Sequence, residues 1–321
     1  NPMNKKTVKD IDLKNKRALM RVDFNVPMAD GKVTDDKRIK AALPTIKHVL
    51  EQGASLLLMS HLGRPKGGPD AEFSLRAASE ALAALLGIPV QMAPDCVGPE
   101  VEKMAKELKA GEVLMLENTR FHKGEEKNDL DLAKQMASLG DVYVNDAFGA
   151  SHRAHASIVG PPSRLPSAAG RLLAQEVSVL LDLRRQPRRP FVAITGGAKV
   201  SDKLGVIRAL LNIADEILIG GGMCFTFFAA MGHSVGSSLL APDRVDDCRA
   251  LLDEFGDRLV LPTDVVALGP GGRLGDPSAG GEVRNTGRSL PEGWMGLDIG
   301  PGAAAEFGDR IAEASTVLWN G

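Results

Sequence analysis

Short apolar runs, each followed by a polar cluster and then by a stretch with helical spacing, recur along the whole chain. In the first half the runs fall at 18–26, 54–59, 113–116 and 142–144; in the second they fall at 191–194, 217–219, 259–261 and 317–318. Runs this brief between longer helical stretches read as strands. Strands that alternate with helices imply a parallel sheet covered on both faces. One intervening helix is legible at 74–86, where Ser74 stands as N-cap, alanine and leucine fill the interior and Gly87 is the stop.

Residues 170–190 read differently. Leu172, Leu173, Val177, Leu180 and Leu181 keep helical spacing, and Arg184-Arg185-Gln186-Pro187-Arg188-Arg189-Pro190 then ends the helix. The arginine run could hold phosphate, but a solvated linker suits a charge run better. With 321 residues the chain is long enough for two buried cores. The expected fold class is α/β: two doubly wound parallel-sheet (Rossmann-like) domains, 1–170 and 191–321, joined by a hinge helix at 171–190. Residues 269–290 are rich in glycine and lack an apolar period. They read as an exposed excursion and not a phosphate cradle, because no helical pattern starts after them.

The net charge of -2 gives no global pull toward nucleic acid or an anionic membrane, so neither is expected as a partner. The three cysteines form no CxxC pair, which suits a reduced cytoplasmic compartment. No apolar h-region follows Asn1-Pro2-Met3, so no signal peptide is expected, and Asn1 and Pro2 read as residues left from a tag. No apolar run approaches the roughly 20 residues that span a bilayer.

In open α/β sheets ligands bind beyond the carboxyl ends of the strands. The residues found there are Asp23 and Asn25, His61 and Arg64, Asn118 and Arg120, and Asn145 and Asp146, with His152 and Arg153 slightly later. Arg21 lies within the first run, and Arg38 opens the helix after it. Arginines recurring at neighbouring strand ends predict a focused positive pocket for a small anion, because the guanidinium fork matches phosphate and carboxylate. The alternative is that these arginines pair with Asp23, Glu117 and Asp146. No carboxylate or cysteine completes a ligand set with His152 and His155, so no metal-ligating residue is expected. His48, His122 and His233 read as isolated.

On the second side, the 191–194 run leads into Thr195-Gly196-Gly197-Ala198-Lys199-Val200-Ser201-Asp202-Lys203, with Val200, Leu204, Ile207 and Leu211 as a buried helical stripe. A strand, a glycine turn and a helix start make an anion site. Lys199 in the first helical turn runs against the helix dipole, which marks a functional candidate. Lys203 follows one turn on, and the two would embrace a polyphosphate. Gly220-Gly221-Gly222-Met223 and Gly296 lie at later strand ends, where backbone can approach a ligand closely. Neither a GxxxxGK[ST] nor a GxGxxG fingerprint occurs, which disfavours a P-loop enzyme and a nicotinamide enzyme.

Several of these stretches resemble the signatures of phosphoglycerate kinases. They are Arg21-Val22-Asp23-Phe24-Asn25-Val26-Pro27, Ser60-His61-Leu62-Gly63-Arg64-Pro65, Glu117-Asn118-Thr119-Arg120-Phe121, Asn145-Asp146-Ala147-Phe148-Gly149 and Ser151-His152-Arg153-Ala154-His155. In the second half 196–203, 220–223, 293–301 and Trp319-Asn320-Gly321 match as well. The resemblance implies glycolytic phosphoryl transfer between 1,3-bisphosphoglycerate and ADP, giving 3-phosphoglycerate and ATP, with Mg²⁺, by a cytoplasmic monomer. It implies that Asp23, Asn25, Arg38, His61, Arg64, Arg120 and Arg153 hold the glycerate substrate, beside Arg21 of the same pocket. It further implies that Arg38 and Lys199 stabilise the phosphoryl group in flight, and that Lys203, Gly221, Gly222, Gly296 and Asn320 line the nucleotide site.

In that family the chain runs on past Trp-Asn-Gly through a Pro-x-Gly-x-Phe-Glu stretch and a Gly-Gly-Gly-Asp-[Ser/Thr] loop. These carry a ribose-binding glutamate and an Mg²⁺-binding aspartate, so residues 1–321 are expected to hold a complete glycerate pocket and part of the nucleotide site. The nucleophile, a carboxylate or a phosphate oxygen, is already ionised at neutral pH, so no general base is required. A fragment that binds 3-phosphoglycerate without turnover is the alternative expectation.

Overall fold

A computed structural model describes residues 5–321; the Asn1-Pro2-Met3 opening lies outside them. The chain divides into two compact units, the first ending at Leu181 and the second beginning at Asp182.

In unit 1 the strands are β1 Arg17–Arg21, β2 Met28–Ala29, β3 Lys32–Val33, β4 Ser55–Met59, β5 Val90–Met92, β6 Val113–Met115, β7 Val142–Asn145 and β8 Ser167–Ala169. The helices are α1 Lys37–Glu51, α2 Arg76–Leu86, α3 Pro99–Glu107, α4 Leu130–Ala137, α5 Ala156–Val159 and α6 Arg171–Arg185. The six-stranded sheet has the order β5-β6-β4-β1-β7-β8, and its pairings are parallel. Side-chain alternation along β1 divides the core. Ala18 and Met20 pack with Ile39 and Ile46 of α1 and Leu82 of α2. Leu19 packs on the other face with Val101 of α3 and with Leu132 and Met136 of α4. Burying each such side chain contributes roughly 1.5–3 kcal/mol.

The 18–26 run is a strand only to Arg21, after which the chain leaves the sheet. α2 ends at Gly87, whose φ of 70° is the left-handed conformation expected of a helix stop. Tyr143 on β7 is buried, and its hydroxyl donates to Ser157 O at 2.8 Å. The division between the units falls inside α6, none of whose side chains is buried.

In unit 2 the elements are β9 Phe191–Thr195, α7 Leu204–Leu211, β10 Glu216–Ile219, α8 Cys224–Ala230, α9 Val245–Phe255, β11 Leu259–Val260, β12 Val265–Leu268, β13 Val283–Thr286, β14 Met295–Ile299, α10 Pro301–Glu313 and β15 Thr316–Asn320. A parallel sheet of order β11-β10-β9-β15 stands beside an antiparallel one of order β13-β12-β14. The second sheet was not legible in the apolar runs. β13 is Val-Arg-Asn-Thr and mostly exposed, so a strand lies within the 269–290 excursion without an apolar signal. The buried Trp294 carries the Arg284 guanidinium over its ring at 4.3 Å, whereas Trp319 on edge strand β15 is 76% exposed. Among the described residues no helix is long and apolar enough to cross a membrane.

Candidate active site

The parallel register of unit 1 sets Arg21 at the end of β1 opposite Met59 of β4 and Asn145 of β7. The residues just past these strands therefore gather at one sheet edge. Asn25, His61, Arg64, Arg120 and Arg153 line one recess there, with His152 and His155 on its wall. Asn25 Oδ1 accepts from Gly63 N at 2.8 Å, which ties the first two loops together. Arg120 donates to Gly63 O at 3.0 Å and is only 12% exposed at its side chain. Its buried Nε has no protein partner. Arg153 Nε donates to His152 Nε2 at 3.2 Å. Arg64 is exposed and forms no ion pair among the described residues. Arg38 donates to Asp23 Oδ1 at 3.1 Å and to Asn25 O at 3.0 Å, while its side chain stays 53% exposed.

His61 is buried, and its Nδ1 lies 3.0 Å from an Arg21 terminal nitrogen. A guanidinium only donates, so Nδ1 accepts and the ring hydrogen sits on Nε2. Burial, followed by Arg21 and Arg120, pushes the imidazole down to about 2. It is therefore a neutral donor.

Arg21 itself is fully buried. It donates from Nε to Ser157 Oγ at 2.8 Å and from one terminal nitrogen to Val22 O, and the other faces His61. It stands behind His61 and not at the recess wall. A strand-end position cannot distinguish these two places, because they differ only by one turn of a side chain.

The alternative pairing of the arginines holds for Arg38 with Asp23 alone. Glu117 instead accepts from Leu75 N and Asn118 N, both at 2.9 Å, and from Ser74 Oγ at 2.7 Å, fixing the start of α2. Asp146 accepts from Leu172 N at 3.0 Å and Leu173 N at 3.3 Å at the start of α6. His122 is not isolated. Its Nε2 lies 2.6 Å from Asp95 Oδ1, and Cys96 offers its sulfur within 4.8 Å of both. The hydrogen bond to Asp95 holds the imidazole above its ordinary range, while burial pushes the Cys96 thiol well up. Asp95 and His122 are committed to their own hydrogen bond, and the thiol beside them keeps its proton, so the trio is poorly prepared for a metal.

In unit 2 the chain leaves β9 at Thr195 and does not enter a helix at once. A 3₁₀ turn, Val200–Asp202, buries Val200, and α7 opens only at Leu204. Lys199 precedes that turn in extended conformation, with φ -111° and ψ 113°. The expected placement of Lys199 in a first helical turn is thus corrected, and the dipole argument for it falls away. It remains exposed, with no partner among the described residues. Lys203 lies just before α7, and its Nζ donates to Asn320 Oδ1 at 2.6 Å.

The loop after β10 interlocks with the loop after β9. Gly221 has φ +72°, and a Cβ on it would come 2.9 Å from Gly197 N. Its N–H donates to Asp298 Oδ1 at 3.0 Å, and Met223 N donates to Gly197 O at 2.9 Å. A Cβ on Gly222 would lie 2.9 Å from the Leu239 side chain. Gly296 has a packing reason: a Cβ there would sit 2.1 Å from the Phe225 ring. Lys199 and the Lys203–Asn320 pair are the donors offered here to a polyanion, since the N–H groups of Gly221 and Met223 are already given to Asp298 and Gly197. Asp298 Oδ1 is already bonded to Gly221 N and Ile299 N. Mg²⁺ retains waters and is held mainly by substrate phosphates with one or two carboxylates. These residues thus fit a nucleotide that brings the metal on its phosphates.

The Lys203–Asn320 bond and the buried Glu125 and Ser157 behind Arg21 escaped the sequence reading. The first joins residues 117 positions apart, and the others show no motif of their own.

Comparison with known proteins agrees with this geometry. The family model described as phosphoglycerate kinase matches residues 8–321. A phosphoglycerate kinase of Fervidobacterium nodosum is 53% identical over 322 residues, which cover 99% of this chain and 80% of the relative. One from Rubrobacter xylanophilus is 51% identical over 320 residues, with the same coverage. The solved phosphoglycerate kinase of Coxiella burnetii superposes with a TM-score of 0.79 at 35% identity over 99% of this chain and 80% of its own. That of Pyrococcus horikoshii gives 0.78 at 30% identity over 98% and 80%. With the strand-end motifs, the parallel sheets and these relatives in agreement along nearly its whole length, the chain belongs to the phosphoglycerate kinase family.

Proposed function

We propose that the chain transfers a phosphoryl group between the acyl phosphate of 1,3-bisphosphoglycerate and ADP, giving 3-phosphoglycerate and ATP. The observation that carries this reading is the unit 1 recess, where a neutral imidazole donor lies among three arginines and an asparagine. His61 Nε2–H, the Arg64 and Arg153 forks, Arg120 and Asn25 would hold the phosphate and carboxylate ends of the glycerate. Each charge-assisted bond contributes roughly 1.5–3 kcal/mol. Asp23 orients Arg38, which keeps its remaining donors for charge on the transferring group.

The acceptor carboxylate and the nucleotide oxygen are both ionised at neutral pH. Catalysis therefore rests on position and charge and not on proton removal. Lys199, free and extended, would reach the transferring phosphoryl group. Lys203, held by Asn320, and the backbone of Gly221 and Gly222 would face the nucleotide. When bound with the nucleotide, Mg²⁺ would neutralise charge on the phosphate oxygens. The glycerate residues belong to unit 1 and the nucleotide residues to unit 2, so the reaction requires that the ligands be brought together with water excluded. Residues for both ligands lie in the described chain, which favours a catalyst over a carrier of one ligand. The three cysteines are buried and unpaired, which supports a cytoplasmic setting.

The test is Arg38→Ala. Turnover should fall by about a thousandfold, as when a cation serving the transferring phosphoryl is lost, with ADP affinity unchanged by calorimetry. Near-normal turnover would remove Arg38 from the chemistry.

A further inference from the structure

Behind the recess lies a buried polar chain that the reaction itself does not use. Glu125 and Ser157 are both fully buried, as is Arg21. Glu125 Oε1 accepts from Ser157 N at 2.7 Å, and Oε2 accepts from Ser157 Oγ at 2.7 Å. The same Oγ accepts from Arg21 Nε at 2.8 Å. Arg21 then donates to His61 Nδ1 at 3.0 Å. Tyr143 holds the Ser157 carbonyl from the other side at 2.8 Å.

The direction of every bond in this chain is set by its two ends. The guanidinium can only donate, the ionised carboxylate can only accept, and the serine hydroxyl does both. A buried guanidinium also requires a compensating charge. Glu125, linked to it through a single hydroxyl, supplies that charge. The pull of Glu125 on Arg21 thus ends at the imidazole, Arg21 bridging two partners, Ser157 and His61, that lie 136 and 40 residues from it in sequence.

We propose that Glu125 and Ser157 are positioning residues that act through Arg21 to hold His61 as its Nε2–H tautomer, presenting a neutral donor to an anionic oxygen of the substrate. This rests on the reading of the recess as the glycerate site and extends it by a layer of residues that touch no ligand. The charges that act most strongly on His61 are those of Arg21, Arg120, His155 and Arg38, and Arg64, His152 and Arg153 line the same recess. Cations predominate among them, so without a fixed tautomer the ring would have no carboxylate to orient it.

The experiment is long-range ¹H–¹⁵N correlation of the full chain labelled at histidine, with His61 assigned from His61→Gln. In the unsubstituted protein His61 should show the Nε2–H tautomer alone, without titrating between about pH 5 and 8. Ser157→Ala should give a mixture of tautomers. Its KM for 3-phosphoglycerate should rise about tenfold, with kcat and the nucleotide KM near their starting values. Glu125→Gln should act in the same direction. Ser157→Thr, which keeps the hydroxyl, should restore the single tautomer.

An Nδ1–H ring in the unsubstituted protein overturns the proposal whether or not any variant folds. So does a folded Ser157→Ala that keeps one tautomer and its KM. An unsubstituted protein with the Nε2–H tautomer that fails to bind 3-phosphoglycerate would refute the glycerate reading while upholding the buried relay.

Discussion

Replacing Asp146 by asparagine should stabilise unit 1 at neutral pH, and the gain should disappear in acid. Asp146 is 1% exposed. One carboxylate oxygen accepts from Leu172 N and Leu173 N at the start of α6, whereas Oδ2 is buried without a partner. The Thr45 hydroxyl, which accepts from Arg171 N at 2.9 Å, stands close enough to lower the carboxyl somewhat, yet Oδ2 is left without a partner. Burial outweighs the hydrogen bonds and raises the carboxyl from an ordinary 3.8 to about 6.

A carboxyl raised on folding binds its proton more tightly in the native state. Its contribution to stability is therefore complete below 3.8 and is lost as the pH climbs through about 6. By linkage that loss is about 3 kcal/mol. Asparagine keeps the oxygen that accepts from Leu172 and Leu173, carries no charge, and places a donor where Oδ2 now has no partner. Urea titrations followed by far-ultraviolet circular dichroism would measure the difference between the two proteins. It should be near zero at about pH 4, grow through pH 5 and 6, and level off at about 3 kcal/mol above pH 7. A difference that is independent of pH would refute the assignment of a desolvated carboxyl at 146. A less stable variant at neutral pH would refute the claim that desolvation outweighs the bonds to α6.

Gly296→Ala should destabilise unit 2 by about 1–3 kcal/mol, because the added carbon would lie 2.1 Å from the Phe225 ring. Phe225→Leu in the same chain should recover part of the loss in urea midpoints, and an unaltered midpoint for the alanine variant would discredit the packing account. Lys203→Met should weaken ADP binding by about tenfold while leaving 3-phosphoglycerate affinity in place. Calorimetry with each ligand separates the two, and unchanged ADP affinity would exclude Lys203 from the nucleotide site.

The parallel sheets were legible because fully buried strands must be continuously apolar. The run containing Leu56, Leu57 and Leu58 can be little else. Helix α2 was legible because Gly87 marks its stop. What failed to show was whatever depends on which way a side chain turns after the strand ends. Arg21 and His61 both sit at strand ends, yet one became the support of the other. Lys199 was misplaced because a single 3₁₀ turn separates the glycines from α7, and burial of Val200, a long-range effect, decides that turn. Glu125 has no local signature at all. It earns its place only when α5 brings Ser157 against it from 32 residues away. β13 escaped because an exposed, mixed-polarity strand has neither apolar period.

The placement of the tryptophans and the tyrosine has an optical consequence. The chain has two tryptophans and one tyrosine, and both indoles lie in unit 2 while the phenol lies in unit 1. Indole emission is therefore a property of the second half alone. Trp294, buried under Arg284, should emit to the blue and red-shift when unit 2 opens, whereas Trp319, already in water, should barely move. Unit 1 is dark at these wavelengths, so an event confined to Asp146 passes unseen by them. Trp319 is also the neighbour of Asn320, which grips Lys203. A nucleotide that draws Lys203 away from Asn320 should change the quenching of that exposed indole, giving the protein an unlabelled reporter of its own nucleotide site.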